Sequence, residues 1–309
     1  MSDLFEFKPP SLSEERLIMR PLAYFVLLIL IALFISALLN YPLYLWLEEG
    51  MDKGPHKLIN TTAKLVAIPG FILLLRHYAL NSKQGLGYAL PRSEFLREIL
   101  RGWLAGFLIL AALSIALFIF GIRIMKPLPA DLGDILLKTL LVALIGGILI
   151  GFIEETFFRG GLFGALRKSH GFVATMILSS LFYAWMHFIQ PPPLPPGEEF
   201  AWYSGLQMVS GAFNQYGDWA TFDSFLALFG LGAFFAVVRE RTGNIAYLIG
   251  LHAGFVFVIK TVRKFTAVDF DSPLVSLVGN YDGMIGYLSA AGLLVHTIIV
   301  HKYWRKPAN

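Results

Sequence analysis

Cysteine is absent from this chain of 309 residues. A disulfide framework, a thiolate nucleophile and any cysteine-ligated metal or cluster are therefore excluded. Charged residues are also scarce: Asp, Glu, Lys and Arg make up 15% of the sequence, whereas a soluble domain carries about 25%. Because hydrophobic residues reach 56% and are arranged in long uncharged runs, the composition predicts an integral membrane protein.

The net charge of +4 is modest. Basic residues that flank membrane helices on the cytoplasmic side account for it, and no pattern typical of RNA or DNA binding is present. We therefore expect membrane lipid as a partner and no nucleic acid.

The apolar runs predict an all-α, polytopic transmembrane bundle. A span needs about 20 apolar residues, and counting the candidates gives about eight helices. Thr61–Leu75 is the weakest of them, because it contains Lys64 and Pro69. The candidates are Leu22–Leu39, Thr61–Leu75, Ile99–Phe120, Leu140–Phe152, Phe172–Ile189, Phe225–Val238, Ile245–Ile259 and Met284–Val300.

The distribution of Lys and Arg predicts the topology. With these spans and an internal N-terminus, more basic residues fall on the inner side than on the outer side, which favours both termini in the cytoplasm. We expect an N-terminal tail (1–20), one membrane domain (21–302) and a C-terminal tail (303–309). The compact plan suggests a prokaryotic plasma membrane.

One connecting segment differs from the others in composition. Residues Gln190 to Phe222 contain no Lys or Arg, and the segment opens with a proline-rich run from Pro191 to Pro196. This composition fits an outer loop. An ordinary loop and a functional lid remain equally good interpretations.

Two adjacent carboxylates interrupt an apolar run, and ionisable residues inside spans are costly enough to suggest function. On a helix, Glu155 and Arg159 are at i and i+4 and can pair. Glu154 lies about 100° around the helix and has no basic residue at i+3 or i+4. The alternative without a functional role is that the helix ends near Gly151 and both carboxylates face water.

His187 lies on the next predicted helix. If the chain turns at 169–171, Glu154 and His187 are equally far from the turn, about 24 Å at 1.5 Å per residue. They should then face each other at matching depth on antiparallel helices, which favours a functional site.

His252 is a second histidine within an apolar helix. Small neighbours, Gly250, Ala253 and Gly254, allow close helix approach or leave room for a substrate backbone. Alone, His252 could equally be a hydrogen-bonded core residue. The remaining histidines, which we expect to be structural or interfacial or to lie in loops or at helix ends, are His56, His77, His170, His296 and His301.

A glutamate and two histidines that converge in a membrane allow two hydrolytic mechanisms. Glu154 could act as a base on water, with the histidines as partner and oxyanion donor. Alternatively, Glu154, His187 and His252 could ligate zinc, which would acidify its bound water. The preferred mechanism needs no cofactor. A proton relay in a transporter would use the same residue types.

The run Glu154-Glu155-x-x-x-Arg159, followed by helices with His187 and His252, resembles the CPBP family. This family contains type II CAAX prenyl endopeptidases and bacteriocin-processing or self-immunity proteases, and is also called Abi. The resemblance covers roughly 140–259. It implies an intramembrane endopeptidase that acts on a peptide or membrane protein.

The resemblance also implies a role for each motif residue. Glu154 would activate the hydrolytic water with His187, Glu155 and Arg159 would support the site, and His252 would help to stabilise the oxyanion.

Two positions depart from the family's pattern. Tyr183 stands where the motif F-x-x-x-H has Phe, with Phe182 adjacent. Val256 stands where H-x-x-x-N has Asn or Asp, which removes a donor from the expected oxyanion site, worth about 3–4 kcal/mol in other enzymes.

Other classes of protein fit the sequence less well. A rhomboid-type G-x-S-G, an aspartyl-type G-x-G-D and a metalloprotease-type H-E-x-x-H are all absent. Asp282 is better interpreted as part of an Asp-Gly turn. The alternatives that remain are a non-catalytic scaffold or immunity protein with the same fold and a proton-coupled transporter, although no internal repeat is evident.

Overall fold

Helices dominate the computed structural model, which describes residues 12–47 and 54–304. The α-helices are α1 (Leu12–Leu47), α2 (Pro55–His77), α3 (Lys83–Leu86), α4 (Arg92–Ile119), α5 (Leu132–Glu155), α6 (Phe163–Arg167), α7 (Phe172–His187), α8 (Ser204–Gly211), α9 (Phe222–Thr242), α10 (Ala246–Phe265) and α11 (Tyr287–Tyr303). A π-helical segment, Thr156–Leu162, joins α5 to α6, and short 3₁₀ turns occupy Asn214–Gly217, Trp219–Thr221 and Val275–Leu277. Strands β1 (Arg123–Met125) and β2 (Thr266–Val268) form one antiparallel pair.

The predicted all-α membrane bundle is confirmed. Each predicted apolar segment overlaps its own helix, namely α1, α2, α4, α5, α7, α9, α10 or α11, and four of the segments extend one to three residues beyond a helix end. Among the described residues, 6 helical segments are long and apolar enough to cross a membrane, and α7 is a shorter apolar helix. The chain is thus a multi-pass integral membrane protein. The residues before position 12 and after position 304, which include parts of both predicted tails, lie outside the described residues.

Large aliphatic side chains remain exposed around the outside of the bundle. Leu65 on α2, Leu108 on α4, Ile145 on α5 and Leu294 on α11 are each 60–65% exposed. In water such a surface would be an aggregation hazard. In a membrane these side chains face lipid tails, whereas the side chains that pack the helices together lie in the buried core.

Helix α10 packs against α4 and α5 through glycines. A Cβ on Gly250 would stand 1.9 Å from the carbonyl oxygen of Ile99, and one on Gly102 would stand 1.9 Å from that of Tyr247. On the α5 side, a Cβ on Gly151 would lie 2.7 Å from the carbonyl oxygen of Ile249. The backbones therefore touch on both sides, as small residues around His252 predict, and this contact fixes where α10 places its side chains.

Replacing Gly250 with Ala should push α10 away from α4, because the atom that the new Cβ meets is backbone and cannot rotate aside. We expect destabilisation of at least about 1–3 kcal/mol, the usual cost of overpacking. The matched control is Gly292→Ala on α11, where a Cβ would meet nothing within 4 Å. Thermal unfolding in detergent should show a lower midpoint for Gly250→Ala only, and equal midpoints would contradict the packing described here.

The segment between α10 and α11 is anchored by a buried arginine. The Arg123 guanidinium, 3% exposed, donates from Nε to Thr266 Oγ1 at 2.7 Å and from Nη1 to the Gly283 carbonyl at 2.6 Å. Burial lowers the pKa of Arg123, and nearby Asp282 opposes this shift. Asp282 Oδ1 in turn accepts the backbone N–H of Met284 at 2.8 Å, and Gly283 has φ 68°. The predicted Asp-Gly turn is therefore confirmed.

The segment from Gln190 to Phe222 is structured. It contains α8 and two 3₁₀ turns, and α8 packs on α1 closely enough that a Cβ on Gly205 would lie 2.1 Å from the Ala37 carbonyl oxygen. An ordinary loop and a functional lid both remain interpretations of this segment.

Candidate active site

The two adjacent carboxylates lie within a continuous helical segment. Helix α5 ends at Glu155, but the chain continues through the π-helical segment and α6, so that Leu132–Arg167 runs helically for 36 residues. The alternative that the helix ends near Gly151 is therefore wrong. Widened π turns inside helices often occur at functional sites, and this one carries Arg159.

Glu155 and Arg159 form the predicted ion pair. Arg159 Nε lies 3.4 Å from Glu155 Oε2, and the two side chains are 4% and 0% exposed. Aromatic rings surround the guanidinium, whose carbon lies 4.4 Å from the ring centre of Tyr183 and 4.9 Å from that of Phe235. The pair is thus shielded from water, and its attraction is screened little.

Glu155 has a second partner that the sequence did not indicate. Its Oε1 lies 2.8 Å from His252 Nδ1. A hydrogen bond here places the proton on Nδ1 and leaves Nε2 as the ring atom directed at the other carboxylate. One glutamate therefore orients the histidine of α10 and balances the arginine.

His187 is oriented by its own helix. Its Nδ1 lies 2.7 Å from the carbonyl oxygen of Tyr183. Because a carbonyl can only accept, Nδ1 must carry the proton, and in neutral imidazole Nε2 is then a free acceptor. This Nε2 lies 4.0 Å from Glu154 Oε2. The predicted position of Glu154 opposite His187 is thus confirmed by the structure.

Glu154 is the point at which the two histidines converge. Its Oε2 lies 4.0 Å from His187 Nε2 and 3.9 Å from His252 Nε2. Among the described residues this oxygen is buried and has no hydrogen-bond partner. A water molecule at a normal hydrogen-bond distance of about 2.8 Å could contact Oε2 and either nitrogen at once. The site thus combines one carboxylate with two acceptor or donor nitrogens around one small volume.

The polar group that is missing at Val256 is not replaced by Asn244, the asparagine that precedes His252 in the chain. Val256, one turn beyond His252 on α10, is partly buried and offers no polar atom. Asn244 is occupied in the α9–α10 connection, where Oδ1 accepts the Ala246 N–H at 3.0 Å and Nδ2 donates to the Thr242 carbonyl at 3.0 Å.

The other described histidines are not brought to the site. His296 Nδ1 contacts the Gly292 carbonyl oxygen at 2.7 Å, and His170 Nδ1 contacts that of Leu166 at 2.9 Å. Both partners lie one turn earlier in the chain, as expected for structural histidines.

The described residues contain no group of three or more His, Cys, Asp or Glu side chains arranged to hold a metal ion. A tetrahedral zinc site places its nitrogen and oxygen ligands about 2.0–2.2 Å from the ion. Because His252 Nδ1 is hydrogen-bonded to Glu155, only Nε2 of His252 is left as a zinc ligand. The zinc alternative would therefore require this Nε2, Nε2 of His187 and Glu154 to move to ligand distances from one ion.

Three polar residues near the site went unnoticed in the sequence. Tyr281 and Gln190 both donate to the carbonyl oxygen of His187, and Tyr216 donates to that of Trp185. All three lie in connecting segments outside the motifs. Tyr281 and Tyr216 are distant along the chain from the residues they contact, whereas Gln190 follows His187 by three residues but belongs to no motif, so no periodicity or spacing pointed to them.

Comparison with known families matched residues 136–258 to the family described as Rce1-like, type II CAAX prenyl endopeptidase. This range contains every motif residue from Glu154 to His252 and agrees with the resemblance based on them. Comparisons with curated proteins and with solved structures gave no match.

Proposed function

We propose, on the premise that residues 136–258 form an Rce1-like domain of a protease family, that this chain is an intramembrane endopeptidase that hydrolyses a peptide bond with water activated by Glu154. The observation that supports this most is the convergence of His187 Nε2 and His252 Nε2 on Glu154 Oε2, at 4.0 and 3.9 Å. A carboxylate oxygen that is buried and has no hydrogen-bond partner among the described residues is suited to accept a proton.

In the proposed reaction, the water lies between Glu154 and His187. Glu154 takes one proton as the water oxygen bonds to the scissile carbonyl carbon. Nε2 of His187 accepts a hydrogen bond from the O–H that remains, which stays with the product acid. The carbon–nitrogen bond then breaks, and the proton held by Glu154 passes to the leaving amine. Atoms and charges balance without a further reactant.

His252 is proposed to stabilise the oxyanion by donating from Nε2. A histidine that donates there while it donates from Nδ1 to Glu155 carries a positive charge, and the carboxylates of Glu155 and Glu154 lie 2.8 and 3.9 Å from its ring nitrogens. Because Val256 supplies no donor, His252 carries more of this stabilisation than it would in a site with an additional amide.

The substrate is proposed to be a peptide or a membrane protein, and membrane lipid to surround the chain. The proposed location is a prokaryotic plasma membrane, which rests on the compact plan of the chain. Both termini are proposed to lie in the cytoplasm, which rests on the distribution of basic residues.

The proposal is tested by reconstituting the chain in liposomes with a complex library of membrane peptides and reading new termini by mass spectrometry. A Glu154→Ala sample runs in parallel. New termini that disappear in Glu154→Ala would support the protease. Identical termini in both samples would instead indicate a scaffold that keeps the fold, and solute flux without peptide products would indicate a transporter.

A metal chelator should leave cleavage unchanged, because the proposed base is Glu154 and the described residues show no ready metal site. The measurement compares the yield of new termini in three samples: one without a chelator, one with a chelator, and one from which the chelator has been removed. Loss of cleavage that returns only on adding zinc would assign Glu154, His187 and His252 as ligands instead.

A further inference from the structure

We propose that Tyr281, together with Gln190, is a positioning residue that holds the last turn of α7 and with it the imidazole of His187. The expected effect on kcat rests on the proposed function. The hydrogen bonds that hold the end of α7 do not depend on the reaction.

Helix α7 ends at His187, close to Glu154 and within the bundle. The last carbonyls of any helix lack intrahelical partners, and away from water each unsatisfied group costs several kcal/mol. Continuation of the helix is prevented by the proline run that begins at Pro191. The end of α7 therefore needs donors from elsewhere in the chain.

Side chains from two separate connections supply these donors. The His187 carbonyl oxygen accepts from Tyr281 Oη at 3.3 Å and from Gln190 Nε2 at 3.2 Å. The Gln190 side chain also lowers the pKa of the Tyr281 hydroxyl, and the rings of Phe188 and Tyr281 lie 5.4 Å apart. The carbonyl of the candidate catalytic histidine is thus held by two donors from separate connections.

The Tyr281 hydroxyl keeps its proton over the physiological range. Burial, followed by Asp282 and Glu154, raises the pKa of Tyr281 to about 12. A hydroxyl with that pKa remains a donor at neutral pH.

Tyr281 is itself fixed in place. The turn that follows it is closed by Asp282, and the Gly283 carbonyl is tied to buried Arg123 at 2.6 Å. Tyr281 also lines a surface cavity of about 690 Å³ that is bordered by Arg123, Lys126 and Arg263. The hydroxyl therefore reaches α7 from the connection between α10 and α11, which also lines this cavity.

The chain offers a matched control at the same helix end. Tyr216 Oη donates to the Trp185 carbonyl at 2.5 Å, two residues before His187, and that carbonyl also receives the Phe188 N–H at 3.2 Å. Tyr216→Phe tests a hydroxyl that caps the same helix without contacting His187.

The experiment uses the full chain with Tyr281→Phe, Gln190→Leu, the double variant and Tyr216→Phe. The first readout needs no substrate: NMR of isotope-labelled histidine at one neutral pH, with the signal of His187 assigned by its loss in His187→Gln. The second readout is kcat and KM on one library peptide that the wild type cleaves.

We expect the wild type and Tyr216→Phe to show His187 as a single tautomer with the proton on Nδ1. Tyr281→Phe should lower kcat about threefold to tenfold with KM unchanged, as expected for one net hydrogen bond. The double variant should lower kcat by more than the product of the single effects, because each donor backs up the other, and its His187 should populate both tautomers.

Wild-type NMR signals in the double variant would overturn the proposal, as would an equal loss of kcat in Tyr216→Phe, which would indicate a general effect of helix capping. If no peptide is cleaved even by the wild type, the proposed function fails, while the tautomer measurement alone still decides the role of Tyr281.

Discussion

Glu154→Gln should abolish peptide cleavage while the protein remains folded. The amide has the shape of the carboxylate but cannot take a proton from water, and positioned general bases contribute about 10²–10⁴-fold to rate. Since Glu154 Oε2 has no hydrogen-bond partner among the described residues, removing its charge breaks no ion pair closer than the 3.9 Å approach to His252. We therefore expect a fall in kcat of at least about a hundredfold and an unfolding midpoint near that of the wild type.

The control for Glu154→Gln is Glu94→Gln in the first turn of α4, which should leave kcat unchanged. The measurement is the initial rate on one library peptide, with thermal unfolding in parallel. Retention of a substantial fraction of kcat in folded Glu154→Gln would remove Glu154 from the role of base and return the site to the scaffold or relay alternatives.

Glu155→Gln should reduce both activity and stability, whereas Glu154→Gln should reduce activity alone. Glu155 is fully buried and contacts Arg159 at 3.4 Å and His252 at 2.8 Å. Removing one partner of a buried ion pair leaves an uncompensated charge and costs about 3–5 kcal/mol. The His252 ring would also lose the carboxylate that fixes its tautomer, a change that costs up to about 10⁴-fold where a carboxylate orients a catalytic histidine.

The contrast for Glu155→Gln is Glu98→Gln, which breaks the Glu98–Arg101 pair of 2.8 Å at the surface, where the Arg101 side chain is 61% exposed. Exposed pairs contribute about 0–1 kcal/mol, so this variant should unfold near the wild-type midpoint. A Glu155→Gln protein as stable as Glu98→Gln would show that Arg159 does not depend on Glu155 for its charge balance.

The sequence predicted the helices and the motif pairs because these follow from local rules. Apolar runs of the required length specified the helices, and the i, i+4 relation of Glu155 and Arg159 specified their pairing. The equal distances of Glu154 and His187 from one turn predicted that they meet. Each inference needed only helical geometry and one connection between neighbours.

The contacts that were missed depend on tertiary packing. The π-helical turn after Glu155 forms where Gly160 and Gly161 pack tightly: a Cβ on Gly161 would lie 2.5 Å from the Phe71 ring. The bond between Glu155 and His252 requires α10 to lie directly on α5. Tyr281 reaches His187 across 94 residues of sequence, through a connection that no helical pattern describes.

The central claim is that Glu154 activates a water molecule that cleaves a peptide bond. It is tested most directly by incubating reconstituted wild-type and Glu154→Gln protein with the peptide library in heavy-oxygen water, and by reading the carboxyl termini of the products by mass spectrometry. The wild type is predicted to yield new carboxyl termini that carry one heavy oxygen from the water, and Glu154→Gln none above background. Equal labelled termini in both samples, or new termini without the label, would contradict the account.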